Sequence, residues 1–310
     1  RYEFVTGVQT CALPISLELR SALASFINKR SGTSFGVHNA WAANGSNEIL
    51  QSIALAFQGD ALGFEPSYSM HPLISRAVGK NWISIPRSSD FSIDLDEALK
   101  AIRSTRPGLV FVTTPNNPTG ESTSLETIRE IAGAAKLVNA LVVVDEAYAE
   151  FSARVSAVTL IEDFPNVIVS RTMSKAFAFA GARLGYMIAD SAVIDAMLLI
   201  RLPYHLSDLT QAAAIAALTH QDSLLADVAK ISSSRNALIA ELQKMGFTVV
   251  PSDANFILFT GFKKDASEIW RLLVEQGVLI RDVGIPNYLR ITVGTESENR
   301  ALITALSKVS

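Results

Sequence analysis

Leu141-Val142-Val143-Val144-Asp145-Glu146-Ala147-Tyr148 is an apolar run that ends in an acid. Consecutive apolar positions rich in valine read as a strand buried on both faces, as in a parallel sheet. In an open α/β sheet, ligands gather outside the carboxyl ends of the strands. The run therefore sets Asp145, and then Tyr148, at the mouth of a candidate site. Taken alone, the same carboxylate could equally cap a helix that follows the strand.

Outward from this run, β-like stretches stand at about 61–64, 82–85, 109–113, 167–170 and 184–188. Helical stretches such as 94–103 and 125–138 lie between them. That alternation implies an α/β fold with a mostly parallel central sheet and helices on both faces. From about Leu206 the pattern changes. Long helical stretches, including an Ala-rich segment 211–218 read as a buried helix, lead to strands near 246–250 and 255–259. A helix over 265–276 and two short strands follow. The expected division is a large domain over 17–205 and a smaller α+β domain over 206–310.

Three further stretches carry chemistry. In Val110-Phe111-Val112-Thr113-Thr114-Pro115-Asn116-Asn117-Pro118-Thr119-Gly120 a strand runs into a turn punctuated by proline and glycine. By itself it reads as an ordinary Asn-Pro turn. Ala42-Ala43-Asn44-Gly45-Ser46-Asn47-Glu48-Ile49-Leu50 is a Gly-containing loop that opens a helix. Ile49, Leu50, Ile53, Ala54 and Phe57 would share one side of it. Backbone N–H groups at such a start bind phosphate, although simple capping by Ser46 or Asn47 accounts for the same residues. The third stretch, Val169-Ser170-Arg171-Thr172-Met173-Ser174-Lys175, puts one lysine beside two hydroxyls, with Arg183 eight residues on. That set suits covalent retention of pyridoxal phosphate. The lysine amine condenses with the aldehyde, and the hydroxyls and guanidinium take the phosphate. The same stretch alone would also read as a loop before a small-residue helix start.

Joined in this order, the pieces resemble the fold-type I aminotransferases that use pyridoxal 5'-phosphate, and within these the histidinol-phosphate aminotransferase family. The resemblance runs from about Glu18 to the C-terminus and is closest at 44–50, 65–71, 114–120, 143–151 and 171–185. Toward the end it is carried by 251–256, 279–283 and 288–294. It implies that Lys175 forms the Schiff base and that Asp145 faces the pyridinium nitrogen, which keeps the ring an electron sink. It assigns Asn117 and Tyr148 to the phenolic oxygen and Tyr68 to stacking on the ring. Ser46, Asn47, Thr172, Ser174 and Arg183 fall around the phosphate. Arg281 and Arg290 match the family's substrate-anion arginines. Each follows a short β-like stretch, 277–280 and 287–289, where an arginine is costly unless paired. Half-exposed strand arginines with snorkelling side chains would look the same.

The activity implied is transamination between L-histidinol phosphate and 2-oxoglutarate, by a homodimer. An aromatic amino acid aminotransferase is the nearest alternative, because an imidazole and a phenyl ring need similar apolar walls. A threonine-phosphate decarboxylase and a non-catalytic cofactor-binding module are more distant ones. Residues 1–16 show no clear period and do not match the family, so they read as a foreign read-through segment. They lack the basic-then-apolar order of a signal peptide. The family's Asn-Glu-Asn-Pro and Arg-Tyr-Pro segments, expected ahead of the surviving resemblance, have no counterpart; Tyr2 and Pro14 stand at the wrong spacing.

Composition agrees. The chain has 310 residues, 27 basic against 30 acidic, with 49% apolar content, which suits an enzyme with a sizeable core. Slight acidity argues against a nucleic-acid partner. No apolar run is long enough to cross a membrane. The single cysteine, Cys11, excludes an intramolecular disulfide framework and fits a reducing, cytoplasmic compartment. His38, His71, His205 and His220 have no metal-like spacing and read as ordinary surface or half-buried residues, with His71 close enough to Tyr68 to approach the site.

Overall fold

A computed structural model describes residues 17–309. The segment 1–16, with Tyr2, Cys11 and Pro14, lies outside the described residues. Helix α1 (Leu17–Ser31) leads to β1 (Ala40–Ala43), α2 (Ser46–Ala56), β2 (Ala61–Glu65), α3 (Met70–Ala77) and β3 (Trp82–Pro86). Then follow α4 (Leu95–Thr105), β4 (Leu109–Thr113), α5 (Leu125–Leu137), β5 (Leu141–Asp145), β6 (Val167–Thr172) and β7 (Gly185–Ile188). Helices α6 (Ser191–Ile200), α7 (Asp208–Thr219) and α8 (Gln221–Lys244) connect to β8 (Thr248–Val249), β9 (Phe256–Thr260), α9 (Ala266–Glu275), β10 (Arg281–Asp282), β11 (Leu289–Thr292) and α10 (Glu296–Val309).

The first seven strands form one sheet in the order β1-β7-β6-β5-β4-β2-β3. The pairs from β3 through β6 are parallel, whereas β7 runs antiparallel to both β6 and β1. The mostly parallel sheet expected from the alternation is therefore present, with a reversed strand inserted near one edge. The central strands begin as apolar runs because helices cover both faces, and β4 and β6 are buried along their whole length, including the polar residues at their carboxyl ends. Local signals explain the helix starts. Asp94 accepts from the N–H of Glu97 ahead of α4, and Ser124 from that of Thr127 ahead of α5.

Strand β1 had been read as part of a loop. Its four residues are all buried and pair with β7, from Ala40 opposite Ile188 to Ala43 opposite Gly185, a partner no local pattern announces. The Ala-rich helix is not buried all round. Within α7 only Gln211, Ala214 and Leu218 are fully inside, at helical spacing, Ile215 and Ala217 are half-buried, and Ala212, Ala213 and Ala216 face outward.

The second sheet, β10-β11-β9-β8, is antiparallel. Its core joins Ile257, Phe259, Leu289 and Ile291 to Ile269, Leu273, Leu302 and Leu306 of the flanking helices. The chain leaves the large sheet before the expected boundary at 206, yet Leu206, Ala214, Leu218 and Val228 still belong to the first core. The change of core comes later, within α8, between Val228 and Leu238.

Candidate active site

The carboxyl ends of the parallel strands, the start of α2 and one face of β11 surround a single cavity. Every site residue expected from the sequence lines it except Arg281.

One wall is built for an anion. Gly45 is the N-cap of α2, at φ 88°, and no side chain caps the helix. The first intrahelical bonds run from Glu48 and Ile49 to the Gly45 carbonyl. The N–H groups of Ser46 and Asn47 are therefore left without an intrahelical acceptor, beside a cavity that both residues line. Capping by Ser46 or Asn47 themselves is not what the structure shows. Two glycines make this geometry possible. A Cβ at Gly45 would meet the Arg183 guanidinium, and a Cβ at Gly185 of β7 would collide with the backbone of Gly45 and Ser46. The same wall carries two hydroxyls from the end of β6: Thr172 Oγ1 donates to Ser174 Oγ at 3.0 Å and accepts from the Ser174 N–H at 3.2 Å. Arg183 sits at φ 59°, an uncommon conformation for arginine, and keeps one bond, Nη1 to the Ala180 carbonyl at 3.3 Å.

The opposite side is built around Asp145 at the end of β5. No α-helix follows for it to cap. Its Oδ1 accepts from the Ala147 N–H at 3.2 Å, and its Oδ2 faces His71 Nε2 at 3.1 Å. Since a carboxylate only accepts, Nε2 carries the proton. His71, only 1% exposed, is stacked on Phe111 and meets Tyr68 edge to face. Tyr68 donates to Asn47 Oδ1 at 3.2 Å, which joins the two walls. Burial raises the Tyr68 phenol, and pushes that of Tyr148 up to about 12 against the opposing effect of Arg290. Both stay protonated at neutral pH.

Between the walls lies Lys175, its ammonium 5.9 Å from the centre of the Tyr148 ring. The side chain reaches solvent through the open cavity while protein atoms crowd it. Desolvation, then Arg290 and Arg183, lower its pKa. Arg290 closes the site from the small sheet. It stands over the Phe256 ring at 4.8 Å, and its Nη1 donates to Asn117 Oδ1, leaving Nε buried without a partner. Asn117 thus accepts through its oxygen and keeps its NH2 available, more than an ordinary turn requires. Burial lowers the Arg290 pKa, with Tyr148 opposing and Arg281 adding to the fall. Arg290 stands inside β11 rather than after a strand, and Arg281 opens β10 directly opposite it. Arg281 is exposed and does not line the cavity, which fits the snorkelling alternative for that residue.

Two contributors were missed. Thr113 ends β4 in register with Asp145 and lines the cavity, so extending the strand-end argument to the neighbouring strand would have found it. Its hydroxyl bonds Ser67 Oγ at 2.8 Å, and Ser67 donates to Asn116, which ties the Tyr68 loop to the Asn117 turn. His71 was noted only for its nearness to Tyr68. Its bond to Asp145 spans 74 residues, and no local signal reports it. Among the described residues no group of three metal-ligating side chains occurs.

The sequence pattern of the family Aminotransferase class I and II matches residues 8–306, reaching back into the segment 1–16. The histidinol-phosphate aminotransferase of Mycobacterium sp. (strain JLS) is 54% identical over 298 residues, which is 95% of this chain and 78% of that protein. The crystal structure of histidinol-phosphate aminotransferase from Sinorhizobium meliloti, in complex with pyridoxal-5'-phosphate, superposes with a TM-score of 0.83 at 29% identity, over 98% of this chain and 85% of that one. The histidinol-phosphate aminotransferase from Clostridium acetobutylicum shares the fold at a TM-score of 0.86 and 22% identity, over 98% and 92% of the two chains.

Proposed function

The chain belongs to the class I and II aminotransferases, and on that premise we propose that it transfers the amino group between L-histidinol phosphate and 2-oxoglutarate, with pyridoxal 5'-phosphate as cofactor. The observation that carries this reading is Lys175, a lysine of lowered pKa set between an uncapped helix start and the carboxylate at the end of β5.

The cavity fits the cofactor. The Ser46 and Asn47 N–H groups, the Thr172 and Ser174 hydroxyls and the Arg183 guanidinium would hold its phosphate. Asp145, aligned by His71 and Ala147, would hold a proton at the ring nitrogen. Tyr148 and the free amide NH2 of Asn117 would donate to the phenolic oxygen, and Tyr68 would lie against the ring. When bound, the cofactor supplies the electron sink that accepts the pair left by the departing substrate proton. Lys175 would move that proton as general base and acid, and its lowered pKa favours the neutral form this requires. Arg290 takes the phosphate of one substrate and the carboxylate of the other, since a guanidinium fork suits both anions, with Arg281 as a second cation at its side.

We propose a cytoplasmic homodimer. Support for the dimer comes from exposed Leu55, Leu73, Ile200 and Leu202, which line one groove that reaches Asn47 at the edge of the site. The single Cys11 supports the reducing compartment. Among the described residues no helix is long and apolar enough to cross a membrane. The large domain proposed, 17–205, carries the two walls, and the small domain proposed, 206–310, carries Arg290, with its first helices packed on the large domain's core.

Amine-donor profiling of the purified protein tests the substrate. Turnover of histidinol phosphate with 2-oxoglutarate, well above that of phenylalanine, is expected. Turnover of phenylalanine alone would replace this reading with that of an aromatic aminotransferase.

A further inference from the structure

Directly behind the cavity lies a buried ionic cluster. Arg171 lies between Ser170 and Thr172 on β6 and points to the face opposite theirs. Its Nε and Nη2 donate to Glu146 Oε2 at 2.8 and 2.6 Å, and its Nη1 to Glu150 Oε1 at 2.8 Å. Ser156 Oγ accepts from Nη2 at 3.0 Å and donates to Glu146 Oε2 at 2.7 Å, while Glu146 Oε1 accepts from the Ala157 N–H at 2.7 Å. The three charged side chains are each at most 4% exposed. Desolvation alone would lower the Arg171 pKa, but the two carboxylates outweigh it and raise the value.

A buried ion cluster is a poor device for stability, because desolvation offsets its attraction. Its value here lies in where its members sit. Glu146 follows Asp145, Tyr148 stands between Glu146 and Glu150, and Arg171 precedes Thr172. One guanidinium therefore ties together the chain segments that deliver the ring-nitrogen, phenolic-oxygen and phosphate contacts. Beyond the cofactor contacts themselves, we propose that Arg171 is a positioning residue. Through Glu146 and Glu150 it sets the spacing between Asp145, Tyr148 and Thr172 that the cofactor needs. The proposal rests on the pyridoxal-phosphate reading above.

Arg171→Lys tests it, since lysine keeps the charge but cannot fork to both carboxylates. Three properties are to be measured: apoprotein affinity for pyridoxal phosphate, the pH midpoint of the holoprotein's visible absorbance, and kcat and KM for histidinol phosphate. Expected are affinity weakened about tenfold or more, a displaced midpoint, and a kcat lower by about 10²-fold, the scale of a misplacement near 1 Å. KM should change little, because Arg290 stands on the other sheet. A lowered melting temperature with unchanged affinity and midpoint would show a purely structural role and overturn the proposal. If Arg171→Lys does not fold, Glu146→Gln decides in the same way: it loosens the fork and leaves one cation facing one anion. A parent protein that binds no pyridoxal phosphate would overturn the cofactor reading first, and this proposal with it.

Discussion

Lys175 is a cation held beside other cations. Its ammonium is partly desolvated although the side chain reaches solvent, and it faces Arg290 and Arg183, so its folded pKa lies below the ordinary lysine value. Between those two values the unfolded chain binds more protons than the folded one, so apoprotein stability rises with pH across that window. Lys175→Met should therefore raise the apoprotein melting temperature near neutral pH, and the gain should shrink as the pH approaches the unfolded lysine value. Calorimetry at several pH values checks this; no gain at neutral pH would mean that the ammonium sits there without strain. In the loaded protein the same substitution should abolish transamination and the borohydride-stable attachment of the cofactor. Asp145 has a separable role. Asp145→Asn keeps the size of the side chain but loses a preorganised charge, so cofactor binding should persist while proton transfer slows by about 10²-fold or more. Equal single-turnover rates for parent and variant would refute it. At this scale the sequence was highly legible. Thr172, Ser174, Lys175 and Arg183 lie within twelve residues, and Asp145 ends a strand whose burial its own valines announce. His71 was not legible, because its meaning depends on a contact with a distant strand end.

The element that decides the anion wall is the crossing of β7 over the start of α2. A backbone-to-backbone approach of that kind leaves no room for a side chain at Gly185. Gly185→Ala should push β7 away from Gly45 and Ser46 and destabilise the protein by about 1–3 kcal/mol, as overpacking does. It should also speed loss of the cofactor on dialysis, since the displaced groups belong to the proposed phosphate wall. Denaturant melts and dialysis of the loaded protein read the two effects, and unchanged cofactor retention would show that the crossing does not set the wall. Elements with their own signals were read well: the valine-rich strand β5, and the helices α4 and α5, expected over 94–103 and 125–138. Elements defined by a partner were not. Strand β1 is four residues paired to a strand far along the chain; β10 begins later than the β-like stretch suggested because only Arg281 and Asp282 find partners on β11, and β11 runs over Leu289–Thr292 because those four residues pair with β9.

Across the whole molecule, the groove lined by Leu55, Leu73, Ile200 and Leu202 is the surface on which association is expected. Leu202 is 73% exposed, so a charge there costs the free chain little. Leu202→Glu should move the protein toward monomer in sedimentation at micromolar concentration and leave the circular dichroism unchanged. A dimer undisturbed by the substitution would place the interface elsewhere. The amino-acid sequence by itself determined the α/β class, the strand ends that carry the site, and the lysine, acid and hydroxyl set. Each of these rests on periodicity or chemistry within a few residues. Only the tertiary structure decided which strand reverses, that His71 faces Asp145, that Arg290 reaches Asn117 while Arg281 stays in solvent, and that Arg171 gathers two glutamates behind the cavity. These are contacts between residues far apart in the chain, and what selects them is the cost of leaving a buried polar group unpaired, which exists only once the elements have packed.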